Sequence, residues 1–219
     1  MKYVIFSMAL ILFFSCQDDC SIIGTYQFEI PATLSPAKSI FNIGDTITVT
    51  STFSDKVYDK TTDRTYSLEN FKFYPNTVFY RLDTTGIDTL EMVTTDHFEI
   101  IVGSEYEYNF RISNFCGALL EGQFNYENNV YDLQYKIVVK KPGLYVTGFG
   151  TRLSRFGDRQ DFPGKCSREG VDTWTVLNEG TGNNAEFLLE AVSETWHNLY
   201  ISRLESDFHG LGRYCFKVE

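Results

Sequence analysis

The sequence predicts a mainly β domain, an antiparallel sandwich finished by a C-terminal helical segment and one last strand. Three observations carry this. Apolar and polar residues alternate with period two in run after run along the first two thirds of the chain. Phe and Tyr are abundant, 19 and 14 of 219 residues, and such rings suit strands and bury large areas. The apolar spacing changes to three and four only after residue 184.

Residues 22–30 form a plausible first strand, ended by Pro31. In FNIGDTITVTSTF, Ile47, Val49, Ser51 and Phe53 alternate with Thr46, Thr48, Thr50 and Thr52, behind a Gly44-Asp45 turn. This is a half-buried strand with β-branched residues outward. Phe71 and Phe73 repeat the pattern before Pro75-Asn76, and Val78, Tyr80 and Leu82 follow. Tyr106, Tyr108, Phe110 and Ile112 make another strand. Tyr131, Leu133, Tyr135, Ile137 and Val139 make the next, entered through Asn128-Asn129, residues that tolerate the positive φ of a tight hairpin.

Pro142-Gly143 then turns the chain into a strand containing Tyr145, Thr147 and Phe149. This PGxY pattern resembles the end of many bacterial immunoglobulin-like domains, where the tyrosine can bond back to the corner it follows. Residues 154–170 read as a loop and 171–177 as one more strand. From Asn184 the apolar positions are Phe187, Leu188, Ala191, Val192, Trp196, Leu199, Tyr200 and Leu204, one helical face. Asn183 or Asn184 can cap it and Gly210 or Gly212 can end it, with a break near Ser193. A strand over 213–218 closes the chain. The expected fold is therefore an immunoglobulin-like antiparallel β-sandwich with a helical elaboration at about 184–209. The alternative is a calycin-like β-barrel, because Ile23-Gly24-Thr25-Tyr26 and the late helix resemble that fold, although its usual tryptophan is absent.

The first twenty residues, MKYVIFSMALILFFSCQDDC, carry an address. A short positive start precedes an apolar run too short to span a ~30 Å hydrocarbon core. Ser15 and Cys16 after it resemble the lipobox of bacterial lipoproteins, with Phe13 and Phe14 departing from the usual Leu and small residue. The resemblance implies cleavage after residue 15, diacylglycerol on the Cys16 sulfur, and an acyl chain on its new amine. The other reading is an ordinary secretory signal that leaves Cys16 for a disulfide. Gln17, Asp18 and Asp19 resemble the export signal that places Bacteroidetes lipoproteins on the outer face of the outer membrane; a plain solvated tether on the periplasmic face is the alternative. The division is then 1–15 signal peptide, 16–21 lipidated tether and 22–219 a single domain. GDTITVTSTF, the aromatic strands, FPGKC and the ending GRYCFKV together resemble an uncharacterised family of Bacteroidetes lipoproteins. These motifs are structural and imply no activity.

With Cys16 lipidated, Cys20, Cys116, Cys166 and Cys215 remain, an even set in an exported chain. Cys215 lies in the last strand and Cys166 in the loop before the preceding one, which predicts Cys166–Cys215 and leaves Cys20–Cys116. Asp45-Thr46-Ile47 and Asp88-Thr89-Leu90 resemble the O-glycosylation sequon of Bacteroidetes secreted proteins, making Thr46 and Thr89 candidate acceptors.

A net charge of −10 argues against nucleic acid and against electrostatic adhesion to anionic lipid heads. His97, His197 and His209 sit in no HExxH or triad arrangement, and there is no GxSxG, Gly-rich phosphate loop or EF-hand loop. Glu190, Glu194 and His197, or Glu205 and His209, can share a helix face, which reads as a solvated face with weak pairs. Asp158, Arg159, Gln160 and Asp161 beside Phe156 and Phe162 read as a surface turn or a glycan-binding loop. The expectation is a lipid-anchored envelope protein, a non-enzymatic binding or structural module without cofactor or metal. Its partners would be the outer membrane through the lipid and a protein or glycan. A calycin-type small-ligand carrier and a glycan-active enzyme are the alternatives.

Overall fold

The computed structural model describes residues 26–83, 93, 95–104, 106–113, 117–155, 158–160, 162, 171–181 and 183–219. Cys16, Gln17, Asp18, Asp19, Cys20, Thr89, Cys116 and Cys166 lie outside the described residues.

In chain order the strands are β1 (Tyr26–Ser35), β2 (Ile40–Phe41), β3 (Thr46–Ser54), β4 (Lys56–Asp59), β5 (Arg64–Ser67), β6 (Tyr74–Arg81), β7 (Phe98–Val102) and β8 (Tyr108–Ser113). They continue with β9 (Gly117–Gly122), β10 (Asn125–Glu127), β11 (Val130–Val139), β12 (Gly143–Arg152), β13 (Ser154–Arg155), β14 (Asp158–Arg159), β15 (Val171–Leu177) and β16 (Arg213–Val218). Between β15 and β16 come two 3-10 pieces (Asn178–Gly180 and Ala185–Glu190), the helix α1 (Glu194–Ser202) and a π-helical turn (Leu204–His209).

Two sheets face each other. The larger runs β10-β11-β3-β1-β4-β5, with β7 also on β11 and β15 also on β1. The smaller runs β2-β16-β12-β6-β9-β8. Pairing is antiparallel except for β1 with β15 and β16 with β2. The sheets do not close into a barrel, so the calycin alternative gives way to the immunoglobulin-like sandwich. The reason is in the interior: the space a barrel would keep for a ligand is filled by rings from both sheets, including Phe28, Phe73, Phe79, Phe98, Tyr131, Tyr135, Tyr145 and Phe216.

Period two puts these rings inward. In β1, Tyr26, Phe28, Ile30, Ala32 and Leu34 are buried while the residues between them are at least partly exposed. Several of the buried hydroxyls find backbone acceptors. Tyr131 Oη donates to the Leu68 carbonyl at 2.6 Å, and Tyr214 Oη to that of Lys38 at 2.8 Å. Tyr145 Oη lies 3.2 Å from the carbonyls of both Lys141 and Pro142, bonding back to the corner as the PGxY pattern predicts. Asn128 and Asn129 both have positive φ in the hairpin between β10 and β11.

The β12–β16 part of the smaller sheet is largely buried on both faces. In β12 and β16, Tyr145, Phe149, Tyr214, Phe216 and Val218 face the sandwich interior. Leu144, Val146 and Cys215 face outward and pack with Leu82, Leu188, Ala191, Leu199 and Phe208 in a second core. The helical segment is therefore a third layer over the smaller sheet. It is sewn on by backbone bonds, Val192 N–H to Leu82 O and Cys215 N–H to Asn183 O, and by Asn184 Nδ2 to Cys215 O. The break expected near Ser193 is there: Ser193 is the N-cap of α1, its hydroxyl accepting from Thr195 N–H.

The structure departs from the sequence reading at several places. Pro31 does not end the first strand. It sits inside β1, where the partner on one side changes from Asp59 of β4, opposite Phe28, to Thr50 of β3, opposite Thr33, so no ladder bond needs its missing N–H. Pro75 likewise lies within β6, pairing Thr151 at the end of the strand before β9 joins at Asn76. Short or non-alternating strands, β4, β5, β7 and β9, escape the periodicity test. Of the predicted Cys166–Cys215 pair, Cys166 lies outside the described residues, and Cys215 is a free, fully buried thiol among them. Its side chain points outward into the helical layer, while β15, which follows Cys166, joins the other sheet.

Candidate functional site

Most residues with chemical potential have structural employment. Asp59 is fully buried, yet its carboxylate accepts from Gln27 N–H at 2.6 Å, Thr62 N–H at 2.8 Å and the Thr62 hydroxyl at 2.6 Å, pinning the turn after β4. His197 Nε2 bonds the Ala191 carbonyl at 2.7 Å, holding the start of α1 rather than joining Glu190 and Glu194 in a site. Gln160 bonds the backbone of Lys72 and Leu153, so it staples the turn it stands in. Phe162 is buried against Tyr26 and Phe28. Among the described residues no three His, Cys, Asp or Glu side chains gather as a metal site. Thr46 is exposed at the start of β3, as an acceptor for a sugar must be.

His97 is buried behind the Pro142-Gly143 corner, edge-on to Tyr145 at 6.1 Å. Its Nδ1 lies 3.4 Å from Asp96, which also pairs with Lys141. Desolvation first, and the Lys141 charge second, hold the imidazole below its usual pKa. The Lys141 hydrogen bond lowers the pKa of the Asp96 carboxyl.

One cluster is not used up in this way. At the seam between the smaller sheet and the helical layer, Tyr80 from β6, Trp196 from α1 and Arg213 from β16 meet. The Tyr80 and Trp196 rings are 5.4 Å apart at 60°, and the Arg213 guanidinium lies 5.6 Å from the Trp196 ring centre. All three side chains are partly exposed, so the cluster reaches the surface. Burial lowers the Arg213 pKa from its very high ordinary value, and the guanidinium stays charged at neutral pH. Among the described residues it makes no hydrogen bond or ion pair; Asp207, close enough to be felt, is paired with Arg203 at 3.1 Å.

Gly148 borders this cluster. It lies opposite Val78 and Arg213 on the outward face of β12. A Cβ there would stand 3.3 Å from Val78 Cγ2 and 3.5 Å from Arg213 Cγ. The Arg213 stem passes beside Gly148 and its head lies near the indole. No local pattern in the sequence marks this trio: Trp196 reads there as one more apolar helix position, and Arg213 as the first residue of a strand.

The chain's other tryptophan, Trp174, is also partly exposed but is packed under a lysine and a glycine. Lys60 Nζ sits 3.8 Å over its ring, and a Cβ at Gly210 would be 2.6 Å from it.

No family model and no curated protein matches the chain. Among solved structures, a type II cohesin domain from the cellulosome of Acetivibrio cellulolyticus is 12% identical over 68% of this chain and 91% of its own, with a TM-score of 0.28. A human F-spondin reeler domain is 13% identical over 60% of this chain and 82% of its own, at 0.33. A non-cellulosomal cohesin from Archaeoglobus fulgidus is 9% identical over 70% of this chain and 86% of its own, at 0.26. At such scores the likeness says nothing of ligand or partner, and the fold rests on the chain's own strand pairing.

Proposed function

We propose that the protein is a lipid-anchored cell-envelope component, displayed on the outer membrane, that works as a non-enzymatic binding module. The observation that carries the binding reading is the Tyr80–Trp196–Arg213 cluster, three side chains from three elements brought to the surface, with the guanidinium beside the indole and without a hydrogen-bond or ion-pair partner among the described residues. Aromatic rings beside a charged, partly desolvated arginine are the parts of a recognition site. They lack the base and nucleophile that turnover needs. The frame suits the task, since both strands and the helix are fixed by buried cores on either side. The lipobox-like Ser15-Cys16 supports the anchor and Gln17-Asp18-Asp19 the outward display, both through resemblance alone.

Two acyl signals at one terminus hold a protein firmly to a membrane, whereas a single chain binds marginally. Cys16→Ser is therefore expected to move the protein from the membrane to the soluble fraction and to abolish fatty-acid labelling. A variant that stays labelled and membrane-bound overturns the anchor. Hydrolysis of chromogenic glycosides by the purified full-length protein, lost with its heat-denatured control, would overturn the non-enzymatic reading.

A further inference from the structure

We propose that the Tyr80–Trp196–Arg213 cluster is a subsite for an acidic sugar, a uronic-acid residue of a glycan, with Arg213 on the carboxylate and Trp196 against the sugar's apolar face. This rests on the binding-module reading and deepens it.

The charge is the first argument. The chain carries 29 acidic against 19 basic residues, so an anionic ligand is repelled by the molecule as a whole and needs a local exception. Arg213 is such an exception. Its side chain is partly buried, and its guanidinium makes no hydrogen bond or ion pair among the described residues. A planar guanidinium offers two parallel donors that match one carboxylate. Partial desolvation strengthens that pair beyond what it has in water.

The second argument separates a sugar from an extended peptide. A peptide strand binds by adding to a sheet edge. Here the floor is the middle of a sheet, where β12 is already paired with β16 on one side and β6 on the other. No backbone donors are left for a strand, and recognition must come from side chains. What the side chains offer is two aromatic rings and one bidentate cation, within about one ring diameter of each other. A pyranose with a carboxylate presents the complement, an apolar C–H face and one anion. The 60° angle between the rings keeps Tyr80 from lying flat on the Trp196 face, so the indole is not fully covered by its neighbour.

The third argument is Gly148. A Cβ there would be tight against Val78 Cγ2 and in ordinary contact with Arg213 Cγ, so the bare strand at Gly148 leaves the Arg213 stem room to lie beside it.

The test uses the full-length protein in detergent. The chain has two tryptophans, so Trp174→Phe leaves Trp196 as the single fluorescent reporter. In that background, titration with an oligogalacturonate is expected to change Trp196 emission saturably, while the neutral galactose oligomer of the same length binds at least tenfold more weakly. Arg213→Gln is expected to abolish the difference between the two. Far-ultraviolet circular dichroism and the urea midpoint of each variant establish that it is folded. Should Trp174→Phe itself unfold the protein, isothermal titration of the wild type against Arg213→Gln reads the same contrast. Three results overturn the proposal: no saturable binding of the acidic oligomer, equal binding of the neutral one, or acidic binding unchanged by Arg213→Gln. Polyglutamate competing as well as the oligogalacturonate would reassign the site to acidic peptides and also overturn it. In each case release of Cys16→Ser from the membrane is a separate readout, so loss of the ligand class leaves the anchor standing.

Discussion

Phe208→Ala tests whether the helical layer is part of the cooperative fold. Phe208 is fully buried and packs in the second core with Leu82, Val146, Leu188, Leu199 and Cys215. The core it belongs to has only eight buried members, so one ring is a large share of what holds the segment down. Removing a buried phenylalanine ring costs ~3–5 kcal/mol through lost transfer energy and the cavity left behind. For a domain of this size the urea slope is about 2–3 kcal/mol per molar, so the midpoint should fall by ~1.5 M if the layer unfolds with the sandwich. Urea denaturation followed by tyrosine and tryptophan fluorescence reads this directly. Ile201→Ala is the matched control on the same segment: Ile201 is 75% exposed, and its loss should change stability by less than about 0.5 kcal/mol. A Phe208→Ala midpoint within ~0.2 M of the wild type would refute the third-layer reading, and with it the rigid placement of Trp196 over Arg213.

Two further outcomes follow from buried groups. His97 is neutral in the fold because burial and Lys141 depress its pKa, whereas the unfolded chain protonates it near the ordinary value of about 6.5. The unfolded state therefore binds the extra proton first, so this contribution is complete above pH ~6.5, declines as pH falls, and is lost below the folded pKa. Wild type should lose more urea stability between pH 7.5 and pH 5 than His97→Gln, and equal losses would show that His97 does not titrate on unfolding. Asp96 acts only at more acid pH, through its own lowered pKa. Cys215 is sealed in the second core and its thiol pKa is pushed up by burial, so thiolate is scarce in the native state. Iodoacetamide should leave Cys215 unmodified in the folded protein and alkylate it fully in guanidinium, as read by peptide mass spectrometry; native labelling or a disulfide at Cys215 would contradict the free buried thiol.

The parts of this protein determined by sequence alone are those governed by neighbours in the chain. Alternation in TITVTSTF and in VYDLQYKIVV places one face inward whatever the sheet partner, because side-chain period is a property of the extended backbone. The Asn128-Asn129 hairpin, the Pro142-Gly143 corner with its returning Tyr145, and the helical spacing from Phe187 to Leu204 are legible for the same reason. Position in the sheet is different. Pro31 and Pro75 look like terminators by their own chemistry, yet both stand in strands because no ladder bond there requires their N–H, a fact about β3, β4, β9 and β12 rather than about proline. Whether Cys215 meets another cysteine depends on which face of β16 it occupies and what covers that face, and the helical layer covers it with Leu188 and Phe208. Only the tertiary structure brings Tyr80, Trp196 and Arg213 together. Tyr80 lies more than a hundred residues before the other two along the chain, and the three stand on a strand, a helix and another strand. Their meeting depends on the register that sets Arg213 beside Gly148, and on the second core that seats α1 above them.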